Sequence, residues 1–172
     1  MAKIVFVSGI HGVGKSTLCS KLFDEFGWRH YSCSDLIKQN SDYIESSKLV
    51  VNADKNQEAL LRGVSLIEDD TILLDGHFCL LGKELDIIEL DMAVFESLSP
   101  SIVINVTCDE NIILERLKAR DGKTIPHGVL VDLQSRELLQ AKAFCAKSGY
   151  PLINYNSPDS IEKLVFTLRG VA

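Results

Sequence analysis

Residues 3–17, KIVFVSGIHGVGKST, constrain this chain more than any other stretch. Lys3 to Ser8 is a short apolar, β-branched run bounded by glycine, which reads as a fully buried strand. Gly9 to Ser16 then fits the pattern G-x-x-x-x-G-K-[ST] of a phosphate-binding loop. Gly9, Gly12 and Gly14 permit backbone angles that a side chain would forbid, so successive N–H groups can turn inward on one anion. The helix that follows adds unpaired N–H groups and the positive end of its dipole. On this reading the loop holds the phosphates of ATP, with His11, Val13 and Thr17 completing the cradle. Lys15 reaches the β- and γ-phosphates, and the Ser16 hydroxyl ligates Mg²⁺.

With 172 residues, 46% of them apolar and 24% charged, the chain predicts one ordinary globular domain over residues 1–172. A net charge of −6 argues against a general nucleic-acid or anionic-membrane binder, which would carry a basic face. No apolar run approaches the roughly 20 residues needed to span a bilayer. The chain enters a strand directly, without the regions of a signal peptide, so a cytoplasmic protein is expected. Cys19, Cys33, Cys79, Cys108 and Cys145 form no C-x-x-C pair, and an odd, scattered set suggests reduced thiols packed as small apolar residues.

Strands are expected near 3–8, 28–32, 71–75, 101–106 and 151–155, with helices between them. Leu18, Leu22, Phe23 and Phe26 fall at helical spacing and predict the face of the first helix that meets the sheet. Thr107-x-x-Glu110 has capping-box spacing, and Ser157-Pro158-Asp159 has the order of a helix start. The strands read as continuous apolar runs alternating with helices. That pattern predicts an α/β fold with a doubly wound, five-stranded parallel sheet flanked by helices. Residues 40–56 are polar and weakly patterned, which suggests a mobile insert, and 82–91 read as a loop or short hairpin. A helix is expected from Gln57 to Glu68, and residues 121–128, with Gly122, Pro126 and Gly128, look like an exposed loop.

Ligands on such a sheet bind at the carboxyl ends of the strands. Asp75 ends an apolar strand there and is a candidate acid for holding Mg²⁺. His77, two residues on, could orient or deprotonate an acceptor hydroxyl or a water. Arg116 and Arg120 share one helix face leading into the 121–128 loop, where planar guanidinium groups suit stacking on a base and paired phosphate contacts. His30 and His127 read as ordinary surface or core residues.

Three stretches, GIHGVGKST, YSCSDLIKQ and DENIILERLKARDG, together resemble the adenylate-kinase branch of the phosphate-loop kinases. Asp75-Gly76-His77 and the E-R-L-x-x-R run from Glu115 to Arg120 are similar to the short-lid, broad-specificity members that also have ATPase activity. The resemblance implies that Arg116 packs on the adenine of ATP, that Arg120 contacts its phosphates, and that residues near 154–158 border the base. It also implies an acceptor-binding insert at about 35–68, where Asp35, Lys38 and Arg62 would face a nucleoside monophosphate, and a short lid at about 121–128. Members usually place Pro and Arg soon after the strand-3 acid, where this chain has Phe78-Cys79-Leu80. The expected activity is therefore Mg-assisted transfer of the γ-phosphate of ATP to a nucleoside monophosphate or similar nucleotide or nucleoside. The alternatives are a kinase of another small molecule, or a regulatory ATPase whose nucleotide cycle drives partner binding.

Overall fold

The computed structural model describes residues 1–41 and 53–171. The first strand, β1 (Lys3–Ser8), is followed by α1 (Lys15–Phe26), β2 (Arg29–Ser32), α2 (Cys33–Asn40) and α3 (Ala53–Ser65). Then come β3 (Thr71–Gly76), a hairpin of β4 (Cys79–Leu81) and β5 (Ile87–Glu89), and α4 (Met92–Leu98). The chain closes with β6 (Ile102–Cys108), α5 (Glu110–Asp121), α6 (His127–Ser148), β7 (Leu152–Ser157) and α7 (Glu162–Val171).

The main sheet has five parallel strands in the order β2-β3-β1-β6-β7, as the alternating pattern predicts. β1 is central. The chain first builds outward to β3 and β2, then crosses to β6 and β7, so the strand order reverses beside β1. That reversal opens a crevice at the carboxyl edge, where the phosphate loop sits.

The pleat divides the core between two faces. Val5, Val7 and Ile104 pack with Leu18 and Leu22 of α1, Ile113 and Leu117 of α5, and Leu168 of α7. Ile4, Phe6, Leu74 and Val103 point the other way, against Leu36, Leu60, Phe95 and Phe144 of α2, α3, α4 and α6. On that second face the rings of Phe6, Phe78, Phe95 and Phe144 form a buried cluster with centroid separations of 4.4–5.9 Å. Among the described residues, no helix is long and apolar enough to cross a membrane.

Several local expectations are corrected. Phe23 is 47% exposed, and Cys19 takes its place on the buried face of α1. Thr107 lies inside β6 rather than capping a helix. Asp109 caps α5, its carboxylate accepting from Asn111 N–H at 2.8 Å. β7 extends through Ser157, and the α7 entry is held by Ser160 Oγ, which accepts from Glu162 N–H at 3.3 Å. Residues 79–89 form the antiparallel hairpin, closed by Gly82 N–H donating to Asp86 O at 2.7 Å. α3 begins four residues earlier than the sequence pattern suggests, at Ala53, so the end of the expected insert at 40–56 is helical, and residues 42–52 of it lie outside the described residues. Between α5 and α6 only residues 122–126 are non-helical, with Gly122 at φ +63° closing α5, so the loop is shorter than the pattern predicts.

Phe144→Ala should lower unfolding free energy by about 3–5 kcal/mol, because it removes a ring that Phe78, Phe95 and Tyr150 all touch. Urea titration checks it. A loss below about 1 kcal/mol would mean the aromatic cluster collapses readily to fill the gap.

Candidate functional site

The loop at Gly9–Ser16 leaves β1 and enters α1 with Gly12 at φ +90° and Gly14 at φ +101°, left-handed angles that a side chain resists. Space confirms the requirement. A Cβ on Gly9 would lie 2.8 Å from the Val106 carbonyl oxygen, and one on Gly14 would lie 3.1 Å from Ser157 Oγ. The loop is thus held close to β6 at Gly9, where a Cβ would clash with backbone, and close to the Ser157 side chain of β7 at Gly14.

Lys15 is buried, and its ammonium donates to Gly9 O at 2.6 Å and Ile10 O at 3.2 Å. Burial pushes its pKa down, and Asp75 and Glu137 pull it back up. His77 Nδ1 lies 2.7 Å from the same Gly9 oxygen. A carbonyl can only accept, so Nδ1 carries the hydrogen. Burial and the Lys15 charge depress the His77 pKa to about 4, so the ring is neutral at pH 7 and Nε2 keeps a lone pair.

Asp75 ends β3 with its side chain 14% exposed, and its carboxylate pairs with His30 Nε2 from β2. His30, read from sequence as an ordinary residue, therefore orients the strand-end acid. The register explains the meeting, since Ser32 of β2 lies opposite Asp75 in the parallel ladder and His30 is on the same face two residues away.

Arg116 and Arg120 both approach the loop. Arg116 Nη1 donates to Gly12 O at 3.1 Å and would lie 3.3 Å from a Cβ on Gly14. Arg120 Nη2 bonds to His11 Nε2 and lies 3.4 Å from Asp121 Oδ2. Burial, then Arg120 and Lys15, lower the His11 pKa, which keeps its ring neutral and able to accept from Arg120. Val13 is buried beneath the loop, whereas Ser16 and Thr17 are exposed at the start of α1. Asp35 and Lys38 lie exposed on α2, and Arg62 Nη1 reaches Asn40 O at 3.3 Å, tying α3 to the end of α2.

A cavity of about 120 Å³ opens beside the loop, between β3, α2, α3 and α4. Asp75 and His77 line it, while Asp35, Lys38 and Arg62 do not.

Glu137 is the residue that reading the sequence missed. It is 1% exposed on α6, and its carboxylate accepts from Phe78 N–H at 2.8 and 3.0 Å and from Cys79 N–H at 2.7 Å. It clamps the turn that carries His77. A signal was present: Leu130, Leu133, Glu137, Ala141 and Phe144 recur at helical spacing, and Glu137 is the one charge on that buried stripe. A second buried polar pair lies under the loop, where Ser8 Oγ donates to Asn105 Oδ1 at 2.8 Å.

A central β1, a loop whose glycines adopt left-handed angles that side chains resist, and a buried lysine on that loop define a phosphate-loop NTPase fold of the kinase type. A family model described as "AAA domain" (AAA_17) matches residues 8–126. The chain is 32% identical to the adenylate kinase of Saccharolobus solfataricus over 136 residues, covering 67% of this chain and 69% of that protein. It is 28% identical to UMP-CMP kinase 3 of Oryza sativa subsp. japonica, covering 94% of this chain and 77% of that protein. Among solved structures, a gluconokinase from Sinorhizobium meliloti 1021 matches with a TM-score of 0.55 at 15% identity, covering 99% of this chain and 91% of that chain, a likeness of fold alone. The chain therefore belongs to the AAA_17 family and is a P-loop nucleoside monophosphate kinase-like protein.

Burial pushes the Glu137 carboxyl up to about 7, against the downward pull of the Phe78 and Cys79 N–H groups. A raised folded-state pKa means that the folded protein binds this proton more tightly than the unfolded chain. The resulting stability is complete below the ordinary value of 4.5 and is lost as pH rises towards 7. Glu137→Gln should cost about 1–3 kcal/mol, since its NH₂ cannot accept the backbone hydrogens. The parent's advantage over the variant should shrink between pH 5 and pH 8. Denaturant titrations of both proteins at the two pH values check the sign, and a constant difference would mean Glu137 stays ionised throughout.

Proposed function

We propose that the protein transfers the γ-phosphoryl group of ATP to a small nucleotide or nucleoside held in the cavity beside the loop. The observation that carries this reading is the position of His77. It bonds to the phosphate loop through Gly9 O and also lines the cavity, so donor and acceptor sites share one wall. The relatives named adenylate kinase and UMP-CMP kinase support a nucleotide substrate.

Phosphoryl transfer needs positioning and charge neutralisation more than covalent help from the protein. The loop N–H groups and the α1 N-terminus receive the phosphates. Lys15 exchanges its hydrogen bonds to Gly9 O and Ile10 O for β- and γ-phosphate oxygens, so a charge already buried gains an anionic partner. Arg116, closing over Gly12 and Gly14, borders the base, and Arg120 reaches phosphate oxygens after leaving His11. Ser16 and Asp75 supply the hard oxygen ligands that Mg²⁺ prefers, and the metal would offset charge on the phosphoryl group in transit. Among the described residues there is no cluster of three or more His, Cys, Asp or Glu able to cage a metal, which suits an ion that keeps its waters and arrives on the nucleotide. Residues 122–126 form the lid over this donor side. All five cysteines are free thiols, which fits work in a reducing cytoplasm.

Lys15→Ala should abolish Mg-ATP turnover while leaving the circular-dichroism spectrum and melting transition close to the parent's. Turnover within a few-fold of the parent would refute the role given to the loop. Asp75→Asn should need a higher Mg²⁺ concentration to reach half-maximal rate. If both proteins respond to Mg²⁺ alike, Asp75 serves only to hold His30.

A further inference from the structure

We propose that Glu137 is a positioning residue for the transfer: from the core of α6 it fixes the peptide that follows His77, and so sets the angle at which the His77 ring meets the phosphate loop and the cavity. The proposal rests on the phosphotransferase reading above and deepens it by naming what aims that ring.

His77 sits between two anchors. On its N-terminal side, Gly76 ends β3 opposite Ser8 of β1, and a Cβ there would lie 3.0 Å from both Cys33 Sγ and the Phe6 ring. On its C-terminal side, the Phe78 N–H belongs to the peptide plane that begins at the His77 carbonyl. Glu137 Oε1 and Oε2 accept from that N–H at 2.8 and 3.0 Å, and Oε2 also accepts from Cys79 N–H at 2.7 Å. One carboxylate therefore holds two consecutive peptide planes. Phe78 O is held too, accepting from Leu90 N–H at 2.9 Å, and the Phe78 ring is packed among Phe6, Phe95 and Phe144. With both neighbours fixed, the Cα–Cβ bond of His77 has one direction, and the Nδ1 hydrogen bond to Gly9 O selects the ring's rotamer. Nε2 is the ring nitrogen left for a ligand in the cavity that His77 lines.

Capping two N–H groups does not call for a buried charge. A hydroxyl or a water would satisfy them at a smaller desolvation cost. A carboxylate adds direction, because its two oxygens share one plane and resist rotation of the turn. Its charge also reaches the loop: burial lowers the Lys15 pKa, and Asp75 and Glu137 both raise it. The preceding residue completes the grip. Arg136 Nη1 donates to Glu89 Oε1 at 3.3 Å, so consecutive residues of α6 hold the start of β4 and the end of β5.

The test is a double-mutant cycle of Glu137→Gln and His77→Asn, with kcat and KM of phosphotransfer measured on nucleoside monophosphates and nucleosides. Glu137→Gln should lower kcat by about tenfold or more while KM for ATP stays within about twofold. In the His77→Asn background it should cost less than about twofold more, because the ring it aims is gone. Losses that multiply in full overturn the proposal, and so does a His77→Asn variant with the parent's kcat. Glu137→Asp keeps the charge but shortens the reach, and should lose kcat likewise; the parent's kcat there would mean that charge alone matters. Leu168→Ala controls for stability, since it opens the core on the opposite face of the sheet from Phe78 and should leave kcat within about twofold. A fall equal to that of Glu137→Gln would reduce Glu137 to a stabilising role. The nitrogen NMR spectrum of the His77 imidazole gives a readout independent of turnover. The parent should carry its ring hydrogen on Nδ1, and Glu137→Gln should shift part of the population to the Nε2–H form. An unchanged ring signal overturns the proposal even where activity falls. If the parent binds an ATP analogue but transfers phosphate to neither acceptor class, the phosphotransferase reading falls, and the ring spectrum still decides whether Glu137 orients His77.

Discussion

The Gly9 carbonyl oxygen is the point on which the site depends. It accepts from the Lys15 ammonium at 2.6 Å and from His77 Nδ1 at 2.7 Å. One bond folds the loop back on its own lysine, and the other ties it to the turn after β3. Burying an ammonium without partners would be prohibitive, and the Gly9 and Ile10 carbonyls supply partners that hold Lys15 in place.

From Gly9 a continuous polar chain runs outward. His77 connects the loop to Phe78 and Cys79, and Glu137 grips those residues from α6. α6 also carries Leu130 and Leu133 into one core and Phe144 into the other, so the clamp is anchored on both faces of the sheet. These hydrogen bonds tie the phosphate loop, through the turn after β3, to α6. The non-helical residues at 122–126 follow Arg120, whose guanidinium bonds to His11 of the loop.

The central strand, the loop and the alternation of elements were legible in the sequence because each rests on local chemistry. Glycine at Gly12 and Gly14 is dictated by backbone angle, and the buried strands are dictated by uninterrupted apolar runs. Asp75 and His77 were legible for the same reason, since a strand end beside a phosphate loop limits where they can point. Three features depended on partners remote in sequence. Glu137 lies 59 residues from Phe78, and His30 lies 45 from Asp75. The hairpin at 79–89 forms across a turn that residue preference alone leaves ambiguous between loop and strand. Capping failed at Thr107 because β6 ran on through it to Cys108, and strand pairing with Asn156 of β7 outweighed the local preference for a cap.

The same contrast explains why donor and acceptor differ in how far the sequence reaches. Recognition of polyphosphate uses backbone N–H groups, whose placement follows from glycine spacing and is written locally. The cavity beside the loop, by contrast, is lined by side chains from β3, α2, α3 and α4, brought together only when the sheet is built. A helix carrying Lys38 can satisfy a motif by spacing and still present that lysine to solvent, because the register of α2 is set by Leu36 packing into the core. Burial of one leucine thus decides which neighbours face the cavity: Ile37 enters its wall and Lys38 does not. The lining of this cavity is therefore set by core packing at Leu36 and Leu60 as much as by the sequence positions of the charged residues.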